Sequence, residues 1–346
     1  MDQFTIQKPW DMHVHLRDGE MLKTVAPITA RYFARALVMP NLTPPIRTND
    51  DVSRYQQEIL AASGPGSGFK PLMTFKILPD TDPHSIAELA QMKDVVAGKA
   101  YPKGLTHNAE DGIEDYFALR DVFAAMEKHN LVLCLHGEMP GTHIRGRDRE
   151  RAFLRTLCFL ARTFPNLRIV LEHITTVEAV ETVLRLPDTV AATVTAHHLL
   201  LTHDDVGGDR MCPNHYCKPV AKDPADRDAL IQAAISGCPK FFFGSDSAPH
   251  PREGKTRLYD CCAGIFTAPV ALPLLVEIFE RHHALDRLES FVYDFAVQFY
   301  HPRGPATGFP PKLRFVKDQW TVPEEIGGIV PFYAGQELSW RVEEVK

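Results

Sequence analysis

Short apolar runs recur along this chain at a spacing that few architectures accommodate. Trp10–Leu16, Arg35–Pro40, Pro71–Leu78, Val95–Tyr101, Leu131–His136, Leu167–His173, Val190–Ala196 and Lys240–Gly244 read as strands, and longer amphipathic stretches lie between them. "NDDVSRYQQEILAAS", opened by an N-cap at Asn49 or Asp50, reads as a helix. So do "IEDYFALRDVFAAMEKHN", "DRERAFLRTLCFLARTF" and "DPADRDALIQAAISG", the last closed by Gly237. Strand and helix alternating eight times predict a (β/α)8 barrel of the TIM type rather than an open sheet with a smaller second domain. A chain of 346 residues is accommodated by one such domain. The barrel is expected from about residue 8 to 300, and the Pro-rich "HPRGPATGFPPK" (His301–Lys312) marks the exit into a short C-terminal appendage over 301–346.

Composition narrows the partners. With 45% hydrophobic and 24% charged residues and a net charge of −6, the chain has no basic field for nucleic acid and no charged tail. "MDQFTIQKPW" lacks the layout of a signal peptide. "FTAPVALPLLVEIF" is too short, and too interrupted by Pro269, Pro273 and Glu277, to span a bilayer, so a cytoplasmic protein without membrane contact is expected. The 7 cysteines are odd in number and scattered, with Cys134, Cys158 and Cys238 inside apolar runs, which suits reduced thiols. Cys212, His215 and Cys217 with Cys261 and Cys262 can also be drawn as a structural zinc site, although their spacing fits no common pattern.

Polar residues gather at one end of the predicted strands: His13, His15 and Arg17 on the first, Asn41 on the second, Lys99 on the fourth, His136 on the fifth, His173 on the sixth and Asp246 on the eighth. Each alone has an ordinary explanation. His-x-His places two rings on one face of any strand, Asn41 suits a turn, Asp246 suits a helix N-cap, and Arg17 has Asp18 and Glu20 beside it. Together they occupy the C-terminal mouth of the barrel, where active sites of this fold are built. Four imidazoles and a carboxylate exceed the needs of one catalytic zinc, so two ions are implied, and a two-metal site needs a bridging oxygen ligand. No acid stands at the end of the fourth strand. Lys99 does, and a desolvated lysine exposes a neutral amine that can add CO2 to become a bridging carbamate.

The segments "DMHVHLRDGEML", "VMPNLTPP", "GKAYPKG", "LHGE", "EHITT", "GSDSAPH" and "CCAGIFTAP" resemble the signatures of the dihydroorotases, amidohydrolases of pyrimidine synthesis, in their shorter, monofunctional bacterial type. The match runs from about residue 8 to 340. The resemblance implies two Zn2+ per subunit: His13, His15 and Asp246 hold one, His136 and His173 the other, and N6-carboxylated Lys99 bridges them. It further implies that Arg17, Asn41 and His250 grip the substrate carboxylate, that Ala263 and Lys218 contribute backbone contacts, and that the protein is a homodimer. Two positions depart from the family pattern. The lid, usually carrying two threonines, reads Thr106-His107, and Lys218 stands where leucine is common.

The implied reaction is the reversible, zinc-dependent closure of N-carbamoyl-L-aspartate to L-dihydroorotate with loss of water, with Asp246 as base and then acid. The alternatives are a hydantoinase or allantoinase acting on another cyclic amide, or a non-catalytic barrel serving as a partner of aspartate transcarbamoylase.

Overall fold

The computed structural model describes residues 2–106, 108–257, 259–300 and 311–345. In chain order the strands are β1 (Gln3–Gln7), β2 (Trp10–Val14), β3 (Arg35–Val38), β4 (Lys70–Ile77), β5 (Val95–Ala100), β6 (Val132–His136), β7 (Ile169–Glu172), β8 (Val190–Val194), β9 (Phe241–Phe243), β10 (Lys312–Thr321) and β11 (Glu337–Glu344). β2 to β9 form one 8-stranded sheet in sequential order, with every neighbouring pair parallel. Sequential parallel strands require a crossover between each pair, and the amphipathic segments supply it. The barrel predicted from the alternation is therefore the observed fold.

The closing seam between β9 and β2 is made differently from the other strand pairs. A single bridge joins Val14 to Ser247, the Asp246 amide donates to His13 O at 2.9 Å, and the His15 amide donates to Ser247 O at 3.0 Å. The buried Asp11 carboxylate reinforces it, accepting from Ser245 N at 2.8 Å, Ser245 Oγ at 2.5 Å and His13 N at 3.1 Å. Burial raises the Asp11 pKa to about 7 even against these hydrogen bonds.

Two apolar layers hold the barrel. The outer one packs alternate strand residues such as Val38, Phe75, Leu133 and Leu171 under the helices. The inner one plugs the barrel with Met12, Leu37, Leu72, Ala97, Val132, Cys134, Val170 and Phe242, capped by Phe299 and Tyr300. Trp10 and Met12 of β2 belong to the inner layer, but Val14 and Leu16, the latter just past the strand, belong to the outer one, although all four are even positions. A register irregularity between Asp11 and Val14 accounts for the switch, since one extra residue reverses which face each side chain takes. That irregularity sends His13 and His15 to the mouth.

The helix Asn49–Ala62 is capped one residue ahead of the expected positions: Thr48 is the N-cap, in a reciprocal capping box with Asp51. The helix Pro224–Ile235 opens on a similar box at Asp223. The appendage is not purely C-terminal. β10 lies between β1 and β11 in a 3-stranded antiparallel sheet, so Gln3–Gln7, ahead of the barrel, pairs with Lys312–Val316. Leu313, Phe315 and Trp340 of this sheet join the outer apolar layer. Residues 301–310, most of the predicted exit segment, lie outside the described residues. No described helix is long and apolar enough to cross a membrane.

Candidate metal centre

The ends of β2 and β9 bring His13, His15 and Asp246 together. His13 Nδ1 donates to Glu172 Oε2 at 2.6 Å and His15 Nδ1 to Asn41 Oδ1 at 2.8 Å, which leaves the Nε2 lone pair of each ring unprotonated. Those lone pairs face one another at 3.3 Å, and Asp246 Oδ1 stands 3.3 and 3.2 Å from them. Three acceptors turned inward with no proton between them repel unless a cation sits there. With metal–nitrogen bonds of about 2.0–2.1 Å, a tetrahedral site has ligand edges of about 3.3 Å. The residues fit a zinc ion.

His136 and His173 continue the cluster. The His173 ring lies 5.0 Å from that of His13 and 4.7 Å from that of His136, centroid to centroid. His136 Nε2 donates to Glu138 Oε2 at 2.7 Å, leaving Nδ1 as its lone-pair nitrogen, and His173 Nδ1 is buried without a hydrogen-bond partner among the described residues. Burial lowers the His13 pKa and lowers that of His173 strongly, keeping both rings neutral as a metal requires.

Lys99 closes the group from below. It is fully buried, and its Nζ has no hydrogen-bond partner among the described residues. Lys76, its register partner across the β4–β5 ladder, is also buried but places its ammonium on Asp111 Oδ1 at 2.5 Å and Asn108 O at 2.7 Å. One buried lysine is paired and the adjacent one is not. Burial lowers the pKa of Lys99, against the pull of Glu172, Cys134 and Asp246, which favours the neutral amine.

The anion-binding candidates lie on the rim. The guanidinium of Arg17 donates from Nε to Pro249 O at 3.0 Å and stands 3.1 Å from His250 Nε2, which also reaches Ala263 O at 3.0 Å. Arg17 is thus turned toward the pocket rather than toward Asp18 or Glu20, and Glu20 takes Lys23 instead. Asn41 is a buried partner of His15 rather than a free turn residue, and Asp246 caps no helix. Arg17, Asn41, Thr106, Lys218 and Ala263 line one pocket with the histidines and Asp246. His107 lies outside the described residues. Arg17, His173 and Asp246 all have positive φ, of 59°, 42° and 44°, a conformation that costs non-glycine residues of order 1–3 kcal/mol and clusters at functional sites.

Sequence reasoning missed the groups that orient these side chains. Glu172 holds His13 and is itself held by Thr193 Oγ1 at 2.9 Å, Glu138 holds His136, and Asn108 Nδ2 donates to Asn41 O at 2.9 Å. A signal was present, since Glu138 follows His136 by two residues and Glu172 precedes His173 directly. The alternative zinc site at Cys212, His215, Cys217, Cys261 and Cys262 does not assemble. His215 bonds Asp205 O, Cys261 bonds Lys255 O, and Cys217 turns to His198. All 7 cysteines are free.

Residues 10–291 match the amidohydrolase family model, and the chain belongs to that family. It is 44% identical over 349 residues to a dihydroorotase of Acaryochloris marina, covering 99% of both chains. A dihydroorotase of Saccharomyces cerevisiae, solved with 5-fluoroorotic acid, superposes with a TM-score of 0.94 at 39% identity over 99% of each chain. Within the family the chain belongs with the dihydroorotases. An L-hydantoinase of Arthrobacter aurescens, with a TM-score of 0.82 at 16% identity over 99% of this chain and 84% of its own, shares the fold alone.

Proposed function

We propose that this cyclic amide hydrolase interconverts N-carbamoyl-L-aspartate and L-dihydroorotate, closing the ring with loss of water and opening it by hydrolysis, within pyrimidine synthesis. The observation that carries the choice among cyclic amides is the Arg17–His250 pair on the pocket rim. A planar guanidinium beside a second nitrogen donor matches a ring carboxylate, which hydantoin and allantoin lack.

In this reading His13, His15 and Asp246 would hold one Zn2+, His136 and His173 would hold a second, and Lys99, once carboxylated, would serve as a shared anionic ligand. The Lys99 amine bonds to the carbon of CO2 and releases one proton, so a costly buried cation becomes an anion among the ligands. Zinc bound there supplies a Lewis acid for the amide carbonyl and lowers the pKa of water. Arg17, Asn41 and His250 hold the carboxylate and fix the ring against the ligand cluster, with backbone help from Ala263 and Lys218 and cover from Thr106 and His107. Asp246 takes the proton of the attacking water in ring opening and passes it to the leaving ring nitrogen. In ring closure it runs the other way, taking the proton from the ureido nitrogen as that nitrogen joins the side-chain carboxyl and water departs. The same reading makes the protein a cytoplasmic homodimer.

The test is turnover of dihydroorotate, followed by ultraviolet absorbance, against hydantoin and allantoin. Dihydroorotate is expected to be opened at least about 100-fold more efficiently, the worth of a lost charge-assisted pair. Equal use of hydantoin overturns the assignment.

A further inference from the structure

A second group of metal-capable side chains lies beside the mouth and takes no part in the reaction above. His197 and His198 follow the end of β8, and Cys217 comes from the loop that carries Lys218 on the pocket wall. All three are buried, and one donor atom from each lies within 4.8 Å of the others. Neither ring nitrogen of His197 has a hydrogen-bond partner among the described residues. Leaving a buried polar atom unsatisfied costs about 1–3 kcal/mol, so an imidazole orphaned at both nitrogens calls for a ligand.

The geometry of the other two donors indicates which. Cys217 Sγ is 3.5 Å from His198 Nε2, and the edge between sulfur and nitrogen ligands of a tetrahedral zinc is about 3.6 Å. Pro219 O lies 2.9 Å from that nitrogen, at hydrogen-bond distance, and 3.4 Å from the sulfur, so a small retreat to the edge of about 3.3 Å would bring it to a further corner of the same figure. We propose that His197, His198 and Cys217 form a further metal site, for a cation of the zinc class, with the Pro219 carbonyl as a fourth ligand. Two imidazoles and a thiolate select zinc or cobalt over magnesium or calcium.

Binding breaks the Cys217 S–H bond, forms a sulfur–metal bond and releases one proton to solvent. The His198 proton moves from Nε2 to Nδ1, where Thr195 Oγ1, at 2.9 Å, turns from donor to acceptor. Burial holds His198 down to about 4, so its ring is neutral and ready, and holds the Cys217 thiol up to about 12, so the ion itself must draw off the proton. The charges of Lys255 and Lys222 act on His197 and His198 respectively, and both oppose added positive charge. The ion would tie the end of β8 to the wall loop. Lys255 already braces that loop from its far side, donating to Tyr216 O, Cys262 O and Gly264 O.

The proposal does not rest on the assigned reaction. Full-length protein stripped of metal is titrated with Co2+ and followed by sulfur-to-cobalt charge-transfer absorption in the near ultraviolet. The mouth cluster contains no sulfur ligand, so cobalt bound there gives no such band. The band is expected to reach the intensity of one thiolate-bound Co2+ per chain, to vanish in Cys217→Ser, and to persist in the Cys261→Ser/Cys262→Ser double variant. His197→Gln should weaken cobalt binding at least about tenfold while keeping a polar side chain in place. Absence of a band in the wild type, or its survival in Cys217→Ser, overturns the proposal. Should Cys217→Ser fail to fold, unchanged cobalt affinity in His197→Gln overturns it alone.

Discussion

The same strands carry two layers of opposite character. Cys134 and His136 on β6, Ala97 and Lys99 on β5, and Val170 and Glu172 on β7 stand two residues apart, roughly 7 Å along each strand. The lower member of each pair belongs to the apolar plug capped by Phe299 and Tyr300. The upper member belongs to the mouth, where Lys99 Nζ, Glu172 Oε1 and His173 Nδ1 are buried without hydrogen-bond partners among the described residues and three residues sit at positive φ. The barrel thus separates stability from reactivity by height along a strand. Contacts in the plug offset the strain and unmade hydrogen bonds that the mouth concentrates.

Substitutions in the two layers should therefore separate cleanly. The largest effect is expected from Lys99→Ala, which should lower turnover by about 1,000-fold or more and lose one of two zinc ions. A short carboxylic acid such as propionate, added in excess, should restore part of the activity by filling the vacated bridge. A variant that retains both ions and normal turnover removes Lys99 from the site. Asp246→Asn should keep much of its zinc, because the amide oxygen still ligates, yet lose about 100- to 10,000-fold in both directions of the reaction. Near-normal turnover would take proton transfer away from Asp246.

Leu72→Ala in the plug should cost about 3 kcal/mol in denaturant unfolding while kcat/KM per folded molecule stays constant. A parallel loss of specific activity would show that the layers are not separate. Arg17→Met should cost about 2–3 kcal/mol of transition-state stabilisation with metal content intact, read from kcat/KM beside zinc analysis. If zinc leaves as well, Arg17 holds the mouth together rather than the substrate. The smallest effect concerns pH. His198 titrates near 6.5 when unfolded and is held down to about 4 when folded, so the unfolded chain takes up the proton first. Its contribution is complete above pH 6.5 and is lost as pH falls toward 4, roughly 2 kcal/mol having gone by about pH 5. Unfolding measured against pH should show a shallower acid slope in His198→Gln, and an unchanged slope would mean that other groups carry it.

The barrel and the mouth were legible in the sequence for one reason. A buried parallel strand is a short apolar run, and a polar residue at its end stands out against that background. His13, His15, Lys99, His136, His173 and Asp246 all announce themselves in this way. The irregularity between Asp11 and Val14 leaves no such mark, because either register of "DMHVH" reads as a strand. Nor did the pairing of β1 with β10, whose partners are some 300 positions apart, since short-range periodicity carries no information on which strands meet. Asp11 was invisible for a related reason. Its three hydrogen bonds cross the seam or turn back on its own strand, and an aspartate beside a His-x-His reads as a ligand or a turn rather than a clamp. Thr48 shows the limit of local rules at fine scale, where three successive candidates, Thr48, Asn49 and Asp50, can each open a helix.

The small sheet that pairs β1 with β10 has a bearing on biosynthesis. β1 leaves the ribosome some 300 residues ahead of its backbone partner, Lys312–Val316. At translation rates of about 5–20 residues per second, roughly 15–60 s separate the two. Over that interval Phe4 and Ile6 have no strand to pair with, while the eight barrel strands can add in sequence. The nascent chain would accordingly assemble its barrel first and pair β1 with β10 afterwards, so that premature termination before residue 312 releases a chain in which β1 remains unpaired.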